Sequence, residues 1–189
     1  MNEDKKEKII IYTDGSSSGN PGPGGWAAVI LFHPHPASPL LRGRSKEGVF
    51  EIGGGEKMTT NNRMELTAVI KALDYFTNFK NFKFIIHTDA EYVLKGITQW
   101  ARNWQKNGWR TKNRKPVLNQ DLWRELIVIE AKIGTIGGKV EWKLVPAHAG
   151  VVLNERCDKI AVGFSLDGQP TLFHGTFPEY QKFLGLHEK

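Results

Sequence analysis

The chain is predicted to be an α/β protein: a mixed five-stranded sheet, three antiparallel strands then two parallel ones, flanked by helices. Three observations predict this. Two apolar runs, Ile9-Ile-Ile-Tyr-Thr-Asp14 and Phe84-Ile-Ile-His-Thr-Asp89, read as buried strands that each end in an aspartate. The first three strands lie close together in sequence, which suits an antiparallel meander. Helical segments separate the later strands, which suits parallel pairing through crossovers.

The first strand spans about 8–14, and the cluster Gly19-Asn-Pro-Gly-Pro-Gly-Gly25 turns the chain back. A second strand covers about 25–32. His33-Pro-His-Pro-Ala-Ser-Pro39 cannot lie inside a strand, because proline offers the ladder no N–H. The segment about 33–46 therefore reads as an insertion at a hairpin tip, with Arg42, Arg44 and Lys46 on its return arm. A third strand over about 45–53 ends at Gly53-Gly-Gly55. Thr59-Thr-Asn-Asn62 offers the N-cap of a helix that runs to about Asn78, with Glu65 in its first turn. The fourth strand covers about 83–88. Short helices follow over about 90–97 and 99–107, closed by Gly108. A helix over about 119–132, a strand over about 139–145 and a last helix over about 153–165 complete the body. The extension 167–189 carries Phe173, Phe177, Tyr180 and Phe183, too many aromatics for a typical disordered segment. Part of it is expected to dock, with a short helix near 178–185. The domain plan is a flexible tail over 1–7, a single domain over 8–166 and this extension.

Composition narrows the class. A length of 189 residues suits one domain, and no apolar run approaches the length of a membrane span. The charged start, Met1 to Lys8, lacks the apolar region of a signal peptide. A single cysteine, Cys157, rules out an intramolecular disulfide and fits a reducing cytoplasm. The net charge is +6 and the pI about 9.4. Its distribution is sharper than its sum. Between Tyr92 and Gln120 there is no Asp or Glu, while Lys95, Arg102, Lys106, Arg110, Lys112, Arg114 and Lys115 supply +7, which leaves −1 for the remainder. A basic lobe on a near-neutral body is the electrostatic footprint of nucleic-acid binding. A solvated helix face is the alternative, but such faces usually mix both signs.

Four acids stand in suggestive places. Asp14 and Asp89 end strands, Glu65 opens a helix, and Asp158 sits near the start of the last helix. Carboxylates on the tips of two buried strands are costly unless something neutralises them, and a divalent cation with oxygen ligands is the usual solution. Singly, Glu65 also fits a capping role and Asp158 a solvated helix position. Convergence of all four on one edge is what singles them out.

The segments Thr13-Asp-Gly-Ser16, Gly19-Asn-Pro-Gly22, Thr60-Asn-Asn-Arg-Met-Glu-Leu66, Thr88-Asp89 with Tyr92-Val93, and His148-Ala-Gly150 with Asn154-Glu-Arg-Cys-Asp158 resemble type 1 ribonuclease H, in order and spacing, over about 8–165. Trp104, Asn107-Gly-Trp109 and Asp121-Leu-Trp123 resemble its bacterial branch. The resemblance implies a ribonuclease H-like fold and an endonuclease that cuts the RNA strand of an RNA–DNA hybrid, leaving 5′-phosphate and 3′-hydroxyl ends. It implies Asp14, Glu65, Asp89 and Asp158 as metal ligands for two Mg²⁺ ions about 4 Å apart, with Mn²⁺ as a substitute. It gives His148 a part in proton transfer, against the plainer reading of a surface loop histidine. His33, His35 and His87 read as no part of a metal site. Gly15, Ser17, Asn20, Asn61 and Glu91 would lie along the hybrid, and Thr60 would hold a DNA phosphate. Lys106 and Arg110 of the basic lobe would contact backbone phosphates. Trp104, a turn beyond Trp100, would serve there as platform and core more than as a stacking residue. A monomer is expected, with no membrane association.

Three positions depart from the family's pattern. Val151-Val-Leu153 follows His148 where a His-Pro-Glu-like sequence is common. Met58 stands where arginine is frequent, with Lys57 beside it, and Glu91 stands where glutamine is common. The competing readings are a hybrid-binding module without chemistry and another nuclease on the same fold, such as a junction resolvase. A polymerase-linked domain fits less well, because the chain begins just before its first strand.

Overall fold

Strand β1 (Glu7–Ser17) is the axis of the computed structural model, which describes residues 7–32 and 48–186. On one face it buries Ile9 and Ile11, and on the other it offers Ile10 and Tyr12, so both sides need cover. It pairs antiparallel with β2 (Gly22–Phe32) and parallel with β4 (Phe82–Thr88). β2 continues antiparallel to β3 (Gly48–Thr59), and β4 continues parallel to β5 (Lys139–Leu144). The insertion expected at about 33–46 lies outside the described residues, as do its His33, His35, Arg42, Arg44 and Lys46.

Among the described residues the sheet has six strands, in the order β5-β4-β1-β2-β3-β6, and this corrects the five-stranded expectation. The added strand, β6 (His174–Gly175), comes from the C-terminal extension and pairs antiparallel with Val49 and Phe50 of β3. Two residues carry no alternation that a sequence pattern could reveal. A second correction concerns Gly53-Gly-Gly55, which does not end β3: the strand runs on to Thr59, with Gly53 opposite Ala27 and Gly55 opposite Gly25. The glycines serve close packing instead. A Cβ on Gly25 would stand 2.1 Å from the Ala161 carbonyl oxygen, so only glycine lets the last long helix rest on the sheet here.

Helices cover both faces. On one side α1 (Asn61–Asp74) and α4 (Gln120–Thr135) bury Leu66, Val69, Trp123 and Leu126 against Ile9, Ile11 and Phe84. Between them runs a continuous helical arm: α2 (Glu91–Lys95), one π-helical turn (Gly96–Trp100) and α3 (Ala101–Lys106). It replaces the two separate helices expected, and Gly108 follows it at φ 63°, the left-handed conformation that stops a helix. On the opposite face α5 (Val152–Ser165) and α6 (Phe177–Phe183) bury Cys157, Ile160, Ala161 and Tyr180 against Ala27, Val29 and Leu31. Thr176 and Glu179 form a reciprocal capping box at the start of α6. Among the described residues no helix is long and apolar enough to cross a membrane.

The packing of α5 on Gly25 gives a test. Gly25→Ala is expected to lower stability by about 1–3 kcal/mol, as overpacking does. Denaturant unfolding measures it, and an unchanged midpoint would show that α5 does not depend on this contact.

Candidate active site

The parallel ladder between β1 and β4 ends at the pair Thr13–Thr88, both fully buried. The next residue on each strand is an aspartate, so Asp14 and Asp89 emerge side by side. β1 does not end at Asp14 as expected but continues to Ser17 with β2 alone as partner. That continuation carries Gly15 beneath α1. A Cβ on Gly15 would fall 2.1 Å from the Glu65 nitrogen, so the missing side chain lets α1 approach. Glu65 thereby reaches Asp14. It is the fifth residue of α1, beyond the first turn, which corrects its expected place. Thr60 is the N-cap and accepts a hydrogen bond from Arg63 N–H at 3.4 Å. Glu65 is thus turned inward to the site, where the helix dipole does little for it.

One carboxylate oxygen from each of Asp14, Glu65 and Asp89 lies within 4.8 Å of the others. Asp14 is 7% exposed and Glu65 5%. Gly15 N–H donates to Asp14 Oδ1 at 2.7 Å, and Asn154 Nδ2 donates to Asp89 Oδ2 at 2.9 Å. In the sequence Asn154 stands out only as part of a motif; its burial at 2% beside Asp89 is what gives it a task. Asp158, in the middle of α5 and not near its start, lines the same cavity of about 400 Å³ without joining the tight triad. His148 also lines it, exposed, at φ 48° in the left-handed region. Asn61 and Glu91 complete that rim.

Electrostatics make the cluster unstable by itself. Burial pushes the Asp14 carboxyl up to about 7, helped by the charges of Asp89 and Asp158. Burial, then Asp14 and Asp89, pushes Glu65 well above the usual carboxylate range. Glu65 Oε2 is buried without a hydrogen-bond partner. An orphaned carboxylate oxygen facing two more carboxylates suits a hard divalent cation, which takes oxygen ligands and needs them deprotonated.

The other expected residues are more dispersed. Ser17 ends β1, and Asn20 is exposed in the turn before β2. Trp104 on α3 is half-buried, with ring centroids 5.7 Å from Trp100 and 5.5 Å from Trp123. Trp123 in turn donates its indole N–H to Tyr92 Oη at 3.1 Å. The aromatic cluster thus props the arm on the core. Lys106 and Arg110 are exposed beyond it, and Arg110 donates to the Arg114 carbonyl at 2.9 Å. Arg63 and Asp121 tie α1 to α4 through paired bonds of 3.0 and 2.7 Å.

The departures have structural counterparts. Glu91 is salt-bridged to Lys95 one turn along α2, so its charge has a protein partner at hand. Met58 is 71% exposed. Val151 is the N-cap of α5 and offers no side-chain cap; Glu155 Oε1 instead accepts from Gly150 N–H at 3.0 Å. Leu153 packs into the apolar cluster beneath α5. His87 stacks on Tyr12 at 4.5 Å, apart from the carboxylate triad.

Two aspartates just beyond the β1–β4 ladder, met by a glutamate from α1, form a site that is consistent with divalent-metal hydrolysis. The RNase H family model matches residues 6–165. A ribonuclease H of Cyanothece sp. is 45% identical over 162 residues, covering 86% of this chain and 92% of its own. That of Thermosynechococcus vestitus is 47% identical over 161 residues, covering 85% of this chain and 89% of its own. Among solved structures, LC9-RNase H1, described as a type 1 RNase H with the type 2 active-site motif, superposes with a TM-score of 0.73 at 26% identity, over 96% of this chain and 83% of that one. The chain belongs to the RNase H family.

The raised Asp14 pKa sets a sign. The folded protein holds this proton more tightly than the unfolded chain does, so without metal its contribution to stability is full at low pH and is lost as pH rises from 3.8 through about 7. In chelator, denaturant unfolding is expected to show a loss of up to about 4 kcal/mol across that window. Asp14→Asn should lose less, because it has no proton to release. An identical pH slope in the two proteins would contradict the buried cluster.

Proposed function

We propose that the protein hydrolyses the RNA strand of RNA–DNA hybrids as an endonuclease, leaving 5′-phosphate and 3′-hydroxyl ends. The convergence of Asp14, Glu65 and Asp89 within 4.8 Å carries this reading, with Asp158 on the same cavity as the fourth ligand. Two Mg²⁺ ions, replaceable by Mn²⁺, would supply charge stabilisation and a more acidic water at the scissile phosphate. The protein's own residues do the holding. Gly15 N–H and Asn154 Nδ2 each hold one oxygen of Asp14 and Asp89, and both carboxylates line the cavity. His148 stands exposed at the cavity mouth, where its imidazole would assist proton transfer.

The hybrid would lie across the open edge of the site. Asn61 and Glu91 rim the cavity and Thr60 caps α1 next to Asn61, while Ser17 at the end of β1 and Asn20 in the turn after it would meet the hybrid further along. Gly15 has no side chain, so its contribution to the cavity wall is a backbone one. Lys106 and Arg110 would meet backbone phosphates on an arm stiffened by Trp104 and Trp123, binding without reading sequence. The 2′-hydroxyl is the group that separates RNA from DNA at such a surface. The buried, free thiol of Cys157 agrees with a reducing, cytoplasmic setting.

Cleavage of end-labelled RNA–DNA hybrid, duplex RNA and duplex DNA of one sequence, each with Mg²⁺, Mn²⁺ or EDTA, tests the reading. Metal-dependent cutting of the hybrid's RNA strand alone, abolished in Asp14→Asn, is expected. Hybrid binding without cutting under either metal would make the protein a binding module instead. Reversing charge at Lys106 and Arg110 is expected to raise KM and flatten its dependence on salt, because fewer counterions are released. A salt slope equal to the wild type's would remove the arm from the substrate surface.

A further inference from the structure

Helix α5 meets three different surroundings. Cys157, Ile160 and Ala161 are buried against the sheet. Asn154 and Asp158 are one turn apart and share the side that faces the carboxylates, where Asn154 bonds Asp89 and Asp158 lines the cavity. Arg156 lies between them in sequence and therefore roughly 200° around the helix from Asn154.

On that far side Arg156 is held tightly. Its Nε and Nη2 donate to the two oxygens of Glu51, each at 2.8 Å, and Nη2 also donates to the Thr171 carbonyl at 2.7 Å. Its guanidinium lies 5.0 Å from the Phe183 ring centre. Glu51, on β3, has a side chain with 0% exposure. It accepts two further bonds, from Phe173 N–H at 2.8 Å and from the Tyr180 hydroxyl at 2.6 Å. The C-terminal segment thus encloses the ion pair and completes its hydrogen bonds, which is what makes a buried pair tolerable. A two-pronged arginine–carboxylate contact also fixes direction, as an apolar contact does not.

We propose that Arg156 is a positioning residue: with Glu51 and the C-terminal segment from Thr171 to Phe183, it sets the rotation of α5 over the sheet, and so the placement of Asp158 and of Asn154 on Asp89. The proposal rests on Asp158 being part of the metal site. On this view the extension beyond α5 belongs to the catalytic scaffold.

The test uses full-length Arg156→Lys, which keeps the charge and loses the fork, and Tyr180→Phe, which loses one hydroxyl and keeps the ring. Ile133→Val, in the core beneath α4, serves as a control for stability alone. Each protein is measured for Tm, for Mn²⁺ binding by calorimetry without substrate, and for kcat and KM on hybrid well below its Tm. Arg156→Lys is expected to weaken Mn²⁺ binding about 10-fold, the scale of losing an outer-shell support. It should lower kcat and leave KM within about twofold of wild type, as expected when hybrid binding is spared. Tyr180→Phe should move the same quantities less, and it decides the matter if Arg156→Lys does not fold. Ile133→Val should lower Tm alone. Clamp variants with a lower Tm but wild-type Mn²⁺ affinity and kcat would overturn the proposal, leaving Arg156 a purely structural residue. Failure of the wild type to bind Mn²⁺ would be a separate result, against the metal site itself.

Discussion

Mutual repulsion among Asp14, Glu65 and Asp89 is the constraint around which the molecule is arranged. Their oxygens lie within 4.8 Å of one another, and two of the three residues are buried. In a medium of low effective dielectric such a cluster opposes its own assembly. The fold holds it by rigid means. Two parallel strands deliver the aspartates in register, and a helix pressed onto Gly15 delivers the glutamate. The energy stored this way favours whatever neutralises the cluster, which gives the site its demand for a divalent cation.

The rest of the structure supports that arrangement from different sides. The core of Ile9, Ile11, Phe84, Leu66 and Trp123 fixes α1 and α4 on one face. α5 covers the other face, contributes Asp158 to the cavity and holds Asp89 through Asn154. The helical arm begins at Glu91, two residues after Asp89, so a strongly basic stretch follows the carboxylate site along the chain. From Tyr92 to Gln120 the chain holds seven Lys and Arg and no Asp or Glu, which gives this stretch a positive potential of its own.

Much of this was legible in the amino-acid sequence, for physical reasons that differ by element. β1 and β4 announce themselves because buried parallel strands are apolar runs, and the aspartate that ends each run marks the site. Glu65 and Asp158 are recognisable by motif, and their helices begin close to the expected places, yet the two acids sit deeper in them, as the fifth and seventh residues. Gly53-Gly-Gly55 looked like a strand end because glycine usually weakens strands; here it admits α5, a partner distant in sequence. The same limit hid β6 and the ties from Arg156 to Glu51, which depend on three segments meeting. Asn154 carried no signal by itself, because an asparagine shows its use only beside the carboxylate it supports.

The most direct test is a crystal structure of the protein grown with Mn²⁺, with anomalous diffraction recorded to locate the ion. The account predicts an anomalous peak coordinated jointly by Asp14, Glu65 and Asp89, with the three carboxylates in the converged arrangement. Carboxylates splayed apart, or ions bound only elsewhere on the surface, would contradict it.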